Sequence, residues 1–189
     1  MTEPTFRSPA TSAARPARHH SAGHGWTGFV LGATLVATTL VTGLSFTFAA
    51  AVMPNLSGVD DRTFVTISQR FNDNPVFPLT FTAALLLIVL ATVLQARLAR
   101  GPALRWVVAA LVLYLAAIVI TGGVHIPLNE QIDQVGDPAK AADLSRVRDD
   151  AEGPWAIWNV VRTLCCTAAV AALARALLLH GRDRGRRGV

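Results

Sequence analysis

Charge is what this chain of 189 residues has least of: 15% of its residues are Asp, Glu, Lys or Arg, against roughly 25% in soluble domains. The shortage excludes an ordinary water-soluble surface, and a mean hydropathy of +0.43 points the same way. Cysteine is nearly absent. Cys165 and Cys166, the only two, are neighbours in the sequence, so on a helix they point about 100° apart and cannot bridge each other without distorting the backbone. No CxxC and no spaced Cys/His set occurs, which removes a thiol relay and a zinc site and leaves the pair as small core residues. A Ser-His-Asp set and a phosphate-binding loop are also missing. The net charge of +5 does not amount to a nucleic-acid surface, because the basic residues stand at the ends of apolar stretches and do not alternate with aromatics.

What the chain does have is four apolar blocks, at about residues 26–53, 76–96, 104–124 and 155–180. Each can cross the ~30 Å hydrocarbon core, which takes about 20 helical residues. The expected fold is all-α, one integral membrane four-helix bundle, antiparallel and joined by short connections. Residues 1–25 read as a disordered basic tail, and His19, His20 and His24 within it have no Cys or acidic residue beside them to complete a metal site. Ala49-Ala50-Ala51 resembles a signal cleavage site, but the block before it far exceeds a signal core of ~7–15 residues, so it is read as a retained span that ends at Pro54. Gly28 and Gly32 offer a small-xxx-small contact. Polar loops are expected at 54–75 and 125–154, with room for short helices at 64–71 and 139–150. Gly101-Pro102 marks the tight turn between the second and third spans. Residues 181–189 form a second basic tail.

Orientation follows from the cations. Arg7, Arg15, Arg18, Arg97, Arg100, Arg105, Arg182, Arg184, Arg186 and Arg187 fall on one side, while Arg62, Arg70, Lys140, Arg146 and Arg148 fall on the other beside ten acidic residues. The positive-inside rule then puts both termini in the cytoplasm and the two larger loops outside. A multi-pass plasma-membrane protein is expected, with the lipid bilayer as its partner and no nucleic acid. The oligomeric state is not written in the sequence.

The stretch WAIWNVVR at 155–162 opens the last block. On a helix Trp155, Asn159 and Arg162 share one face at i, i+4 and i+7. Asn55, Asn72, Asn74, His125 and Asn129 belong to the same end of the bundle, so a pocket roofed by the outer loops is the natural site. An arginine inside a span is a functional candidate by default, yet Arg162 lies only about 10 Å beyond Trp155 and could snorkel to the interface. Both readings stand open. The four blocks hold no acidic residue, so its partner must come from Glu130, Asp149 or Glu152 in the loops or from an anionic ligand. The same absence argues against a small proton-coupled exporter. Trp155 and Trp158 at one end, with Trp26 and Trp106 at the other, fit two aromatic belts. His125 is the one histidine near the outer face, and reads either as a general base or as a hydrogen-bonded helix cap.

Four fragments, VMPNL at 52–56, FNDNPVFPLTF at 71–81, HIPLNEQI at 125–132 and WAIWNVVR at 155–162, in this order and spacing, resemble the anthrone oxygenase-like family of small four-helix membrane proteins, over roughly residues 28–178. Most members have no known function. The resemblance implies oxidation of anthrones to anthraquinones by molecular oxygen without a metal or organic cofactor. It also implies roles for Pro54, Asn74, Pro75, Phe77, Pro127, Asn129, Trp155, Asn159 and Arg162. His125 stands where the family commonly has Asn. The implied assignment makes His125 and Arg162 the catalytic pair, and gives Asn74, Phe77, Asn129, Trp155 and Asn159 to a small aromatic substrate. The alternative is a non-enzymatic subunit, scaffold or small-ligand binder whose polar residues only lock helices together.

Overall fold

A computed structural model describes residues 19–99 and 101–187. Most of the expected N-terminal tail, residues 1–18, lies outside the described residues, as do Arg100, residues 188–189 and the side chains of His19, His20 and His24. The described elements are all helical: α1 (His19–Thr47), α2 (Met53–Leu56), α3 (Asp61–Asn72), α4 (Val76–Leu94), α5 (Ala103–Ile120), α6 (Ile126–Asp133) and α7 (Leu144–Arg187). Wider π turns at Phe48–Val52, Gln95–Ala99 and Thr121–His125 run straight on from α1, α4 and α5. Four stretches are long and apolar enough to cross a membrane: Gly25–Leu56, Val76–Ala99, Ala103–Asp133 and Leu144–Asp183.

These helices outrun the apolar blocks, and the prolines explain how. Pro54 was expected to stop the first helix, because its ring collides with the carbonyl four residues back. Instead the Met53 amide donates to Phe48 O, five residues back, and the widened turn accommodates the ring inside α2. The Ile126 amide donates to Thr121 O in the same way just ahead of Pro127. The last helix begins at Leu144, roughly three turns before Trp155, and carries Pro154 within it. Asp143 accepts from the Arg146 amide at 3.3 Å to start that helix.

In the spans, α1 lies against α4 and α7, and α5 lies against the same two helices. Their seam is made of small residues, with Ala84, Ala110, Ala117, Cys166 and Ala169 all buried around Tyr114 and Ile88. In lipid, where hydrophobic burial gives no advantage over the bilayer, such close contact drives association. Cys166 is a buried core residue and Cys165 is half-buried, both free. At the other end Val30 and Leu31 of α1 meet Ala91 of α4, Ala103 and Val107 of α5, and Ala176 of α7. Gly28 faces the His180 ring, whereas Gly32 faces open space, so only one of the pair makes a close approach. Thr34, Thr38, Thr42 and Thr47 each donate to the carbonyl four residues back, which satisfies their hydroxyls inside a greasy helix. At the α4–α5 turn, a Cβ on Gly101 would meet the Asp183 carboxylate at 2.5 Å, so a side chain there would have to displace Asp183.

A cap closes one end. Leu56, Phe64, Val65, Ile132 and Ala151 form a third apolar core beneath α3, where removing a side chain such as Phe64 from water contributes about 1.5–3 kcal/mol. Asp60 starts α3 by accepting from the Thr63 amide and hydroxyl at 3.1 and 2.6 Å. Arg148 fastens the cap to α7. It donates to Glu152 (2.6 Å), Asp61 (3.0 Å) and the carbonyls of Leu56, Ser57 and Val59, while its guanidinium covers the Phe64 ring.

Candidate functional site

Between the cap and the bundle lies a cavity of about 260 Å³. Its walls are aromatic. Phe48, at the head of the first π turn, meets Phe71 of α3, Phe77 of α4 and Trp155 of α7 at ring separations of 5.0, 5.4 and 5.5 Å. Phe81, one turn deeper on α4, completes the wall. Phe48 and Thr121 open π turns and His125 closes one; the extra residue in such a turn rotates everything beyond it relative to a regular helix, a device frequent at functional sites.

The polar groups enter from α7 and from the end of α5. Arg162 is buried, its Nη2 donating to Asn159 Oδ1 at 2.8 Å and its Nη1 to Thr121 Oγ1 at 3.3 Å. Its Cζ stands 5.2 Å from the centre of the Phe81 ring and 5.9 Å from that of Trp155. Contrary to the expectation of a loop carboxylate, no ion pair reaches it among the described residues; Glu152 is taken by Arg148, and Asp149 and Glu130 are exposed. Snorkelling does not happen either, because the guanidinium turns inward. Its Nε has no hydrogen-bond partner. His125, 2% exposed, stacks edge-on against Trp155 at 4.9 Å, and no hydrogen bond of normal geometry reaches either ring nitrogen. It is therefore not the hydrogen-bonded cap that one reading expected.

Of the residues singled out in the sequence, the cavity brings together His125, Arg162, Phe77, Asn129 and Trp155. Asn129 accepts from the Trp155 indole at 3.0 Å and so fixes the ring plane. Asn159 stands behind the cavity, fully buried, holding Arg162 with its oxygen and donating to Ser45 O of α1 at 3.1 Å with its nitrogen. Asn74 is not brought in: it is exposed and accepts from the Val76 amide to start α4. Asn55 bonds to Ala51 O and is likewise outside. Their place is taken by Asn72, which donates to Asn129 O and Asp133 Oδ1. Phe48, Phe81 and Thr121 went unnoticed in the sequence because phenylalanine and threonine in apolar blocks carry no signal of their own. Among the described residues, no three His, Cys, Asp or Glu side chains gather as a metal-binding set.

A buried cation without a counter-ion, an unpaired imidazole and stacked ring faces suit a flat aromatic ligand that carries or develops negative charge at one edge. Comparison with known proteins agrees with the motifs. No curated protein and no solved structure matches the chain. The family described as anthrone oxygenase matches over residues 71–172, more than half of the chain, and the chain belongs to that family.

Proposed function

We propose that this family member oxidises a phenolic or polycyclic aromatic substrate with molecular oxygen in the Phe48–Trp155 cavity, without a metal or organic cofactor. The single observation that carries the reading is the meeting of His125 and Arg162, each with unpaired nitrogen, inside an aromatic wall that contains no carboxylate. An anthrone has an acidic CH₂ between two rings. His125 accepts one of its protons, and the electron pair left behind delocalises onto the ring oxygen, where Arg162 meets the developing oxyanion. The electron-rich carbon passes electrons to O₂ and forms a carbon–oxygen bond, and the peroxide oxygen takes back the proton held by His125. The resulting hydroperoxide loses water to leave a carbonyl, so CH₂ and O₂ become C=O and H₂O. Trp155 and the phenylalanines hold the ring plane.

In this reading the cavity end faces outward across the plasma membrane, on the weight of ten cations near the opposite end. A non-enzymatic role has one observation in its favour: Asn159 ties Ser45 of α1 to Arg162, which reaches Thr121 beyond α5, and so locks three helices together. Oxygen uptake by the purified protein in detergent, over a panel of anthrones and hydroquinones, separates the two. Because these compounds autoxidise, the comparison is with a folded His125→Ala/Arg162→Ala double variant. Uptake above autoxidation that the variant loses supports the oxygenase. Uptake no faster than autoxidation, or retained in full by the variant, overturns it in favour of binding or scaffolding.

A further inference from the structure

The cavity has two unlike sides. Toward water it is latched by hydrogen bonds: Gln69 donates to Ile132 O and Gly136 O at 3.1 and 3.0 Å, Asn72 to Asp133 Oδ1 at 2.9 Å, and Arg148 ties α3 to α7. Toward the hydrocarbon it is bounded only by side chains that make no polar contact. Pro78 and Ile126 line the cavity and are themselves exposed, Ile126 by 48%, and Val76 and Leu79 beside them are exposed by 49% and 66%. All four lie within the membrane-crossing stretches. The exposed Glu130 stands one turn above Ile126, about 6 Å along the helix, and Asp73 and Asn74 precede α4, so a polar rim sits just above this gap. Deeper in, the unpaired nitrogens of Arg162 and His125 wait behind the aromatic walls.

From this contrast we infer that the cavity opens sideways into the bilayer, through a mouth between Pro78 and Ile126, and that its substrate is a membrane-dissolved flat aromatic with one ionisable oxygen edge. The inference builds on reading the cavity as the substrate site. A molecule of this kind slides in edge-first from lipid, keeps its apolar body against the aromatic walls, and brings its oxygen edge to Arg162. A water-soluble anion would instead have to break the latched roof. Opening the mouth needs only rotation of apolar side chains, because Pro78 and Pro127 have no amide hydrogen to leave unpaired.

The test reads access without relying on turnover. In the full chain in phosphatidylcholine liposomes, with Cys165 and Cys166 changed to alanine, Thr121→Cys puts a thiol on the cavity wall. Two maleimides compete for it: a pyrene maleimide that dissolves in the bilayer, and a sulfonated stilbene maleimide that does not but is attracted by Arg162. The expected result is labelling by the pyrene reagent at least roughly tenfold faster than by the sulfonated one. Adding Ile126→Trp, which plugs the mouth, slows the pyrene reagent by roughly tenfold, whereas Leu79→Trp, beside the mouth but outside the cavity lining, leaves it unchanged. Gln69→Ala, which removes two hydrogen bonds of the roof from outside the cavity lining, leaves the pyrene rate unchanged. Equal or faster labelling by the sulfonated reagent, a pyrene rate indifferent to Ile126→Trp, or no labelling by either reagent overturns the inference. None of these outcomes depends on oxygen uptake, so the lateral route can fail while the oxygenase stands, and the reverse.

Discussion

Replacing Arg162 by methionine separates chemistry from architecture. Methionine keeps the unbranched length and removes the charge and every donor. In the native protein Arg162 is 6% exposed, and holding an arginine within a span costs about 2.5–3.5 kcal/mol. Arg162→Met relieves that cost. Against it, Asn159 Oδ1 loses the donor that now stands 2.8 Å away, a penalty of about 1–3 kcal/mol for an orphaned buried acceptor. Thr121 is unaffected, since its hydroxyl still donates to Ala117 O. The two effects nearly cancel, and the variant should unfold within about 1 kcal/mol of the parent. No such cancellation protects the chemistry. Loss of the group that meets a developing oxyanion lowers turnover by about 10²–10³-fold. Thermal unfolding in detergent by circular dichroism and oxygen uptake above autoxidation, measured on the same preparation, check both halves. A variant that loses activity only in proportion to its folded fraction would refute the reasoning, as would one that turns over at the native rate.

Asn159→Ala should behave in the opposite manner: it leaves Arg162 Nη2 without its acceptor and cuts the tie to Ser45 O of α1, destabilising the fold by about 1–3 kcal/mol, visible as a lower midpoint in the same melt. Arg148→Ala removes a partly buried ion pair together with its bonds to three carbonyls, at a cost of about 1–3 kcal/mol. The damage should be local, with amide exchange rising across α3 and the start of α7 while the core of α5 keeps its protection; equal loosening everywhere would contradict the latch. The cap should also weaken in acid. The Thr63 hydroxyl first, and its amide second, hold the Asp60 carboxyl below its ordinary pKa of 3.8. A group lowered in the folded state contributes fully above 3.8 and loses that contribution as pH falls through the lowered value. Exchange protection in the first turn of α3 should therefore drop below that pH, and Asp60→Asn should flatten the dependence.

Much of the site was legible at the level of one helix. Trp155, Asn159 and Arg162 do share a face of α7, because a 3.6-residue repeat is a property of the local chain. Asn74 could not be separated from Asn72 in this way. The two differ by two residues at a helix boundary, and whether a side chain caps its own helix or reaches α6 depends on how α3 turns into α4. The same limit hid Phe48 and Phe81, whose relevance comes from what faces them. Partner choice for Arg162 failed for a further reason: Glu152 was within sequence reach, but Arg148, one turn away on the same helix, captures it at 2.6 Å.

What the sequence by itself determined is the solvent and the repertoire. Four blocks of about twenty or more residues, apolar and without a carboxylate, satisfy their backbone groups in a bilayer only as helices, and the ordered fragments around Asn74, Pro127 and Trp155 fall within the residues that match the family. What only the tertiary structure decided is which of these residues meet. The π turns before Pro54 and Pro127 shift the helical phase by one residue, so a regular wheel drawn through either turn misplaces the residues on one side of it relative to those on the other. The folding of α3 over α6 and α7, held across some ninety residues of chain by Arg148, turns one end of the bundle into an aromatic cavity with a cation that no carboxylate among the described residues neutralises. Contacts at that separation are set by how helices dock, which no local periodicity encodes.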